Sequence, residues 1–284
     1  MTTFLTLAPI LLIWLAFWGV NIFLTRDALY RKAWVRVAVP LIFGLSILIV
    51  WQMIVRAFGV PKVILPAPSD IATAFWNNRA ILWEDFVQTI LKGAFTGLAF
   101  GTLAALVVAV LIDRFEGFGR GLMPVASFMA ALPIVGTAPI FVMWYGFGWQ
   151  SKAAVVVLMV FFPMLVNIVA GLKDTSSMQR DQMRTWAASY WETLFKLRFP
   201  AALPFIFNGL KIASTLAMIG AIVAEFFGSP TSGVGFRISA SNGRLQMDIV
   251  WSAILVGALA GTITYGLLIA IERRLTFWHP SQRR

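Results

Sequence analysis

The sequence predicts an all-α integral membrane protein with about seven transmembrane helices, and three observations lead there. Of 284 residues, 60% are hydrophobic and only 12% charged, with a mean hydropathy of +0.83; soluble domains carry about 25% charge. Seven apolar stretches, at about 4–25, 37–58, 86–112, 121–147, 152–172, 203–227 and 249–271, reach the roughly 20 residues a helix needs to cross a bilayer. The basic residues are also divided unevenly among the connecting loops.

The first stretch is expected to be a retained helix rather than a signal peptide. No basic residue precedes it, the first being Arg26. The 21 uncharged residues from Phe4 to Leu24 exceed the ~7–15 of a signal-peptide apolar region. The loops 26–36 and 113–120, segment 173–202 and the tail from Arg273 hold fifteen Lys and Arg, including Arg31, Arg283 and Arg284; the opposite loops hold five. That asymmetry places the first set in the cytoplasm, the N-terminus outside and the C-terminus inside. The net charge of +11 is therefore a topology signal and not a nucleic-acid surface. With no Cys, disulfides and thiolate chemistry are excluded. The only His is His279, in the tail, so no haem, zinc or catalytic centre is expected within the membrane.

Along the helices, Gly93, Gly97 and Gly101 form a row of small residues at four-residue spacing, repeated by Gly257 and Gly261. Such rows let helix backbones approach closely in lipid, either within one chain or at a dimer or pathway seam. Stretch 121–147 is interrupted by Pro124, Pro133 and Pro139, with Gly136, Gly146 and Gly148 nearby. Broken backbone at membrane depth needs protein or a water-filled cavity around it, so this stretch is either an ordinary proline kink or, as three prolines in sixteen residues favour, an element that lines a pathway. Lys92 and Lys211 fall at or inside helix ends, where lysines snorkel to the interface. Glu225, near one end of the 203–227 helix, is either a functional acid or a hydrogen-bonded anchor for the Gly-rich loop that follows. Asn167, Asn208, Ser214 and Thr215 are polar groups for interhelical hydrogen bonds, or face a pathway.

Segment 173–202 is long for a connection and patterned. Met183, Trp186, Ala187, Tyr190, Leu194 and Leu197 recur at three- and four-residue steps, predicting an amphipathic cytoplasmic helix that Pro200 stops. Such a helix lies on lipid headgroups or docks into a groove on a partner.

Residues 181–204, from Asp181-Gln182-Met183-Arg184 to Phe199-Pro200-Ala201-Ala202-Leu203-Pro204, resemble the cytoplasmic signature of permease subunits in bacterial ABC importers. That signature runs Glu-Ala-Ala, three residues, Gly, nine residues, Ile-x-Leu-Pro. Pro200 is identical, Asp181 stands at the Glu and Ala187 at the Gly. Three further runs resemble the sulfonate, taurine and nitrate branch of the same family: Leu65-Pro66-Ala67-Pro68-Ser69, Leu132-Pro133 through Trp144-Tyr145-Gly146-Phe147-Gly148, and Ile219 through Gly228 leading to Gly233-Val234-Gly235-Phe236. The likeness covers about residues 60–274 in order.

The resemblance implies a six-helix importer core, with residues 37–284 as the permease domain and 1–36 as an extra N-terminal helix and basic loop. Two permease copies would form the pathway in the bacterial inner membrane. Two cytoplasmic ATPases, carrying ATP and Mg, would drive it, and an external binding protein would deliver the solute. Within segment 180–200, residues 184–196 would be the coupling helix, with Arg184, Thr185, Trp186, Ala187, Ala188, Ser189, Tyr190 and Trp191 meeting the ATPase. Ala at 187 disfavours the positive φ that glycine allows. Pro133, Pro139, Asn167, Asn208 and Glu225 are the pathway candidates. No Gly-x-x-x-x-Gly-Lys-Ser/Thr run occurs, so no ATP hydrolysis is expected on this chain. The run through Leu203-Pro204-Phe205, with Phe226-Phe227-Gly228-Ser229-Pro230, resembles permeases for pyrimidine-type vitamin precursors or riboflavin; sulfonates, taurine and nitrate are the other candidates. The competing class is an autonomous secondary transporter or channel, which needs its own ion-coupling groups.

Overall fold

The computed structural model describes residues 2–26, 30, 32–130, 133–228 and 231–278, and all regular structure among them is helical. Arg31, His279, Arg283 and Arg284, and Leu132, Ser229 and Pro230 of the runs quoted above, lie outside the described residues. Among the described residues, six helices are long and apolar enough to cross a membrane: α1 (Thr2–Leu24), α2 (Ala33–Ala57), α4 (Arg79–Arg114), α7 (Trp149–Lys173), α9 (190–226) and α11 (Met247–Leu275). Shorter helices are α3 (Pro68–Asn77), α5 (Glu116–Ala130), α6 (Ile134–Tyr145), α8 (Ser177–Thr185) and α10 (Val234–Gly243).

The seventh expected span is thus two short helices, α5 and α6. Pro133 precedes α6 in an extended conformation, and Gly146 ends it at φ 74, a region glycine enters without a Cβ penalty. The stretch nonetheless traverses the bundle. Asp113, just before it, bonds Arg198 at one end, while Phe147, its last residue, shares Lys152 with Gly228 at the other.

The chain divides into two compact units. In the first, residues 1–79 and 240–252, α1 lies along α2 and both are mostly exposed, as suits lipid-facing helices. The last turns of α2 fasten the start of α3. Gln52 and Ser69 exchange two 3.0 Å hydrogen bonds, and Asp70 accepts from Arg56 at 3.0 Å and pairs with Lys62 at 3.1 Å. Pro68 occupies the first turn of α3, where its missing N–H costs nothing. Trp51 and Trp251 meet at 4.9 Å, and the Ser252 hydroxyl donates to the Ile71 carbonyl.

In the second unit, 80–239 and 253–284, α7 lies between α4 and α9. Each helix buries every fourth residue: Asp85, Thr89, Gly93, Gly97, Gly101, Ala105 and Ala109 on α4; Lys152, Val156, Val160, Met164 and Ile168 on α7; Gly209, Ala213, Ala217, Ala221 and Glu225 on α9. Rows at this spacing are the i±4 ridges that interdigitate in helix packing. Small side chains on α4 and α9 admit the bulkier residues of α7, and this core continues through Leu165, Leu172 and Leu194. Two segments widen to i→i+5 hydrogen bonding, Val87–Phe95 in α4 and Leu194–Arg198 at the start of α9. Such widenings recur at functional positions.

Candidate functional site

The second unit concentrates its polar groups in two knots, one at each end of the α4–α7–α9 trio. At the 228–237 end, the buried Glu225 carboxylate accepts from the Thr89 hydroxyl and the Gly235 N–H, both at 2.7 Å. Thr89 in turn accepts from the Val234 N–H at 2.7 Å. Asp85, fully buried, accepts from the Gly233 N–H and from Arg237, each at 2.7 Å. Gly233 adopts φ 132, and a Cβ there would strike the Glu225 carboxylate. Lys152, one of the five basic residues counted in the opposite loops and the first of the 152–172 stretch, is buried in the first turn of α7. Its ammonium donates to the Phe147 carbonyl at 2.8 Å and to the Gly228 carbonyl. An ammonium has three donors to satisfy, and carbonyls left over at helix ends supply acceptors.

At the opposite end, Asp113 accepts from Arg198 (Nη1, 2.7 Å) and from the Tyr190 hydroxyl at 2.9 Å. The Arg198 Nε donates to the Leu172 carbonyl at 3.0 Å, in the last turn of α7. The Arg114 guanidinium lies 4.8 Å from the Tyr190 ring centroid. Side chains from the end of α4 and a backbone carbonyl from the end of α7 therefore converge on the start of α9.

The adjoining segment departs from the single amphipathic helix expected over 184–196. It is a helix, a turn and a restart. α8 ends at Thr185, Ala187 takes φ 53, and Ser189 caps a new helix beginning at Tyr190. The reason is local. Ser189 and Glu192 form a reciprocal capping box, Ser189 N–H to Glu192 Oε2 at 2.9 Å and Glu192 N–H to Ser189 Oγ at 3.3 Å. Ser176 and Gln179 do the same for α8. Ala187 thus makes the left-handed turn despite its Cβ. Around it Arg184, Thr185 and Ser189 are exposed and Ala188 is half-buried. Trp186 and Trp191 stand 67% and 57% exposed, and Phe195, stacked on Trp191, 62%. Tyr190 is half-buried by its bond to Asp113.

The pathway candidates separate. Asn167 and the exposed Asn208 meet through a 3.1 Å bond between α7 and α9. Pro133 and Pro139 are exposed on α6. Glu225 lies in the knot described above, some 25 Å along α9 from Asn208 by helical rise. Ser214 and Thr215 bond the Lys211 carbonyl in their own helix. Lys211 reaches Glu272 of α11 at 2.9 Å rather than an interface, while Lys92 is exposed. Between α9, α10 and α11 runs a cavity of about 560 Å³, whose walls include Thr215, Ile219, Ile222, Ile254, Gly257 and Tyr265.

Sequence reasoning missed Asp85, Thr89, Asp113, Lys152 and Arg237. One signal was available: Asp85 and Thr89 continue the Gly93–Gly97–Gly101 row upstream at the same spacing.

The family model described as "Binding-protein-dependent transport system inner membrane component" matches residues 97–277. A probable ABC transporter permease protein of Haemophilus influenzae is 32% identical over 78% of this chain and 90% of its own length. A riboflavin transport system permease protein of Chloroflexus aurantiacus is 30% identical over 89% and 94%. A formylaminopyrimidine transport permease protein of Halalkalibacterium halodurans is 29% identical over 86% and 96%. Among solved structures, the inward-facing MetNI methionine ABC transporter aligns with a TM-score of 0.55 at 15% identity, over 71% of this chain and 97% of that one; that likeness concerns the fold. The chain belongs to the inner-membrane components of binding-protein-dependent transport systems, and is a multi-pass permease subunit of an ABC importer.

Proposed function

We propose that two copies of this chain form the translocation pathway, that separate cytoplasmic ATPases binding ATP and Mg supply the energy, and that an external binding protein delivers the solute. The 173–202 end faces the cytoplasm, with the N-terminus outside and the C-terminus inside. Residues 1–36 are an extra helix and loop appended to the permease domain of 37–284. Arg184, Thr185, Trp186, Ala187, Ala188, Ser189, Tyr190 and Trp191 dock on the ATPase. The carrying observation is the Ala187 turn flanked by exposed Trp186, Trp191 and Phe195, since aromatic anchors around a close backbone approach are what interface hot spots use. Pro133, Pro139, Asn167 and Asn208 border the pathway, and Glu225 holds its outer loop.

An autonomous ion-coupled transporter is disfavoured by the same geometry. Such a device needs acids that change partners, yet each buried carboxylate of the described membrane helices is already engaged: Asp85 with Arg237, Asp113 with Arg198, Glu225 with Thr89 and Gly235, Glu272 with Lys211.

The solute is a neutral nitrogen heterocycle of the pyrimidine or flavin type. Support comes from two of the relatives named above, the permeases for formylaminopyrimidine and riboflavin. Co-purification with the cognate ATPase tests docking: Ala187→Arg with Ala188→Arg should abolish it, and unchanged association would sink the assignment. Proteoliposomes of the complete transporter should accumulate labelled pyrimidine or riboflavin in preference to taurine, and only with ATP. Uptake by this chain alone would favour the secondary transporter.

A further inference from the structure

The charged knot at the foot of α9 is not explained by docking alone, because its central groups face inward. Asp113 is 6% exposed and Arg198 16%. Arg198 uses one edge of its guanidinium on Asp113 and its Nε on the Leu172 carbonyl. Tyr190, the first residue of the restarted helix, places its hydroxyl on the same carboxylate. One carboxylate thus gathers the end of α4, the end of α7 through Arg198, and both the first residue and the widened turn of α9. The widened turn Leu194–Arg198 lies between Tyr190 and the long α-helical part of α9, Phe199–Phe226. Without a brace, a push on the 186–191 surface would bend the chain at that turn.

We propose that Asp113, Arg198 and Tyr190 are the positioning residues that transmit motion from the ATPase-docking segment into the membrane helices. The carboxylate makes the foot of α9 rigid with α4 and α7, so that displacement of the docking surface moves three helices together. The far knot, where Thr89 of α4 meets Glu225 of α9, completes the brace, and Gly233 with the first turn of α10 then follows the docking segment. The inference rests on the ABC importer reading and assigns a step within it.

The test uses the complete transporter, with ATPase and binding protein, in proteoliposomes. Three quantities are measured: retention of the ATPase, solute uptake, and the rise in ATP hydrolysis when loaded binding protein is added. In Asp113→Asn and Arg198→Gln, the ATPase should remain bound while uptake falls about tenfold or more and hydrolysis ceases to respond, as loss of a charge-assisted bond implies. Tyr190→Phe should show a smaller loss, about two- to fivefold. The exchange Asp113→Arg with Arg198→Asp restores the opposed charges and should recover a substantial part of both uptake and response. Uptake and response like the unaltered protein in the single variants overturns the inference, as does loss of the ATPase, which would place the knot in docking. If the singles fail to accumulate in the membrane, the exchange decides: recovery of accumulation without any recovery of response makes the pair structural only. Failure of the unaltered chain to bind an ATPase at all would instead remove the functional reading beneath it.

Discussion

Replacing Gly97 by Ala tests whether the α4–α7 seam is set by absence of a side chain. A Cβ at 97 would stand 2.5 Å from Val156 Cβ, 2.6 Å from its Cγ1 and 2.8 Å from the Ala153 carbonyl oxygen, where carbon contacts settle near 3.5–4.0 Å. Neither neighbour can yield. Val156 is β-branched, with one strongly preferred rotamer in a helix, and the carbonyl is backbone. The helices must therefore part by about 1 Å, an overpacking that costs roughly 1–3 kcal/mol. Ala recovers about 0.5–1 kcal/mol over Gly within a helix, leaving a net loss near 1–2. The other glycines grade the effect. Gly101 would meet Val160 at 3.0 Å, Gly93 would find its nearest atoms at 3.5 Å, and Gly261 has nothing within 4 Å. Thermal unfolding of detergent-solubilised protein, followed by fluorescence-detected size exclusion, should rank Gly97→Ala least stable and Gly101→Ala next. Gly93→Ala and Gly261→Ala, which meet no close neighbour, should be at least as stable as the unaltered chain, by up to about 0.5–1 kcal/mol. Equal midpoints for Gly97→Ala and Gly93→Ala would refute the close-approach argument.

Three other outcomes follow from single groups. Ala187→Gly should relieve about 1 kcal/mol of left-handed strain, slowing proteolysis within 177–198 while association with the ATPase persists. Glu225→Ala leaves the Thr89 hydroxyl and the Gly235 N–H unpartnered, so it should lower thermal stability well beyond Glu225→Gln, at about 1–3 kcal/mol per orphaned group; equal effects would mean the carboxylate is not the anchor. Burial draws the Asp70 carboxyl upward, but hydrogen bonds and charge from Lys62 and Arg56 outweigh it and hold it below the usual carboxylate range. Protons thus bind the unfolded segment more readily, so the stabilisation is present above about pH 4 and fades as pH falls through the lowered value. Hydrogen exchange at 65–75 should accelerate on acidification below pH 4, and Arg56→Gln should shift the onset upward.

The spans were legible because twenty apolar residues suffice to mark a crossing, and the break at Pro133 was legible because proline cannot continue a hydrogen-bond ladder. Helix ends were not. The α4 helix starts at Arg79 rather than near 86, since Asp85 and Glu84 look like loop residues until Arg237 and the Gly233 N–H are seen to bond the Asp85 carboxylate. Lys152 counts among the basic residues of the opposite loops on the same ground, yet two carbonyls hold it in the first turn of α7. In the docking segment the apolar steps run unbroken from Met183 to Leu197 and suggest one helix. Ser189 and Glu192 carried the contrary local signal, a capping box, which outweighs periodicity because it fixes where N–H groups find acceptors. The partners of Asp113 lie 77 and 85 residues away, a distance over which a single sequence carries no pairing information.

The two polar knots also answer a difficulty created by the seam itself. Small residues every fourth position let α4, α7 and α9 approach, but such a row nearly repeats after each four-residue shift, about 6 Å of rise. In lipid no hydrophobic effect favours one shift over another, and van der Waals contact alone discriminates weakly between near-equivalent registers. Directional bonds at the ends remove the ambiguity. Sliding α9 by one step past α4 would carry Glu225 away from Thr89 and, at the opposite end, Arg198 away from Asp113. It would also strand four polar groups in a medium without water to solvate them. Buried polar pairs are best attested where they fix register at some expense in stability. By that logic the knots contribute less to holding the bundle together than to fixing its axial position. A bundle fixed at both ends can transmit displacement of its cytoplasmic foot to the far loop as translation or rocking, because sliding, the softest alternative, is the motion the knots forbid.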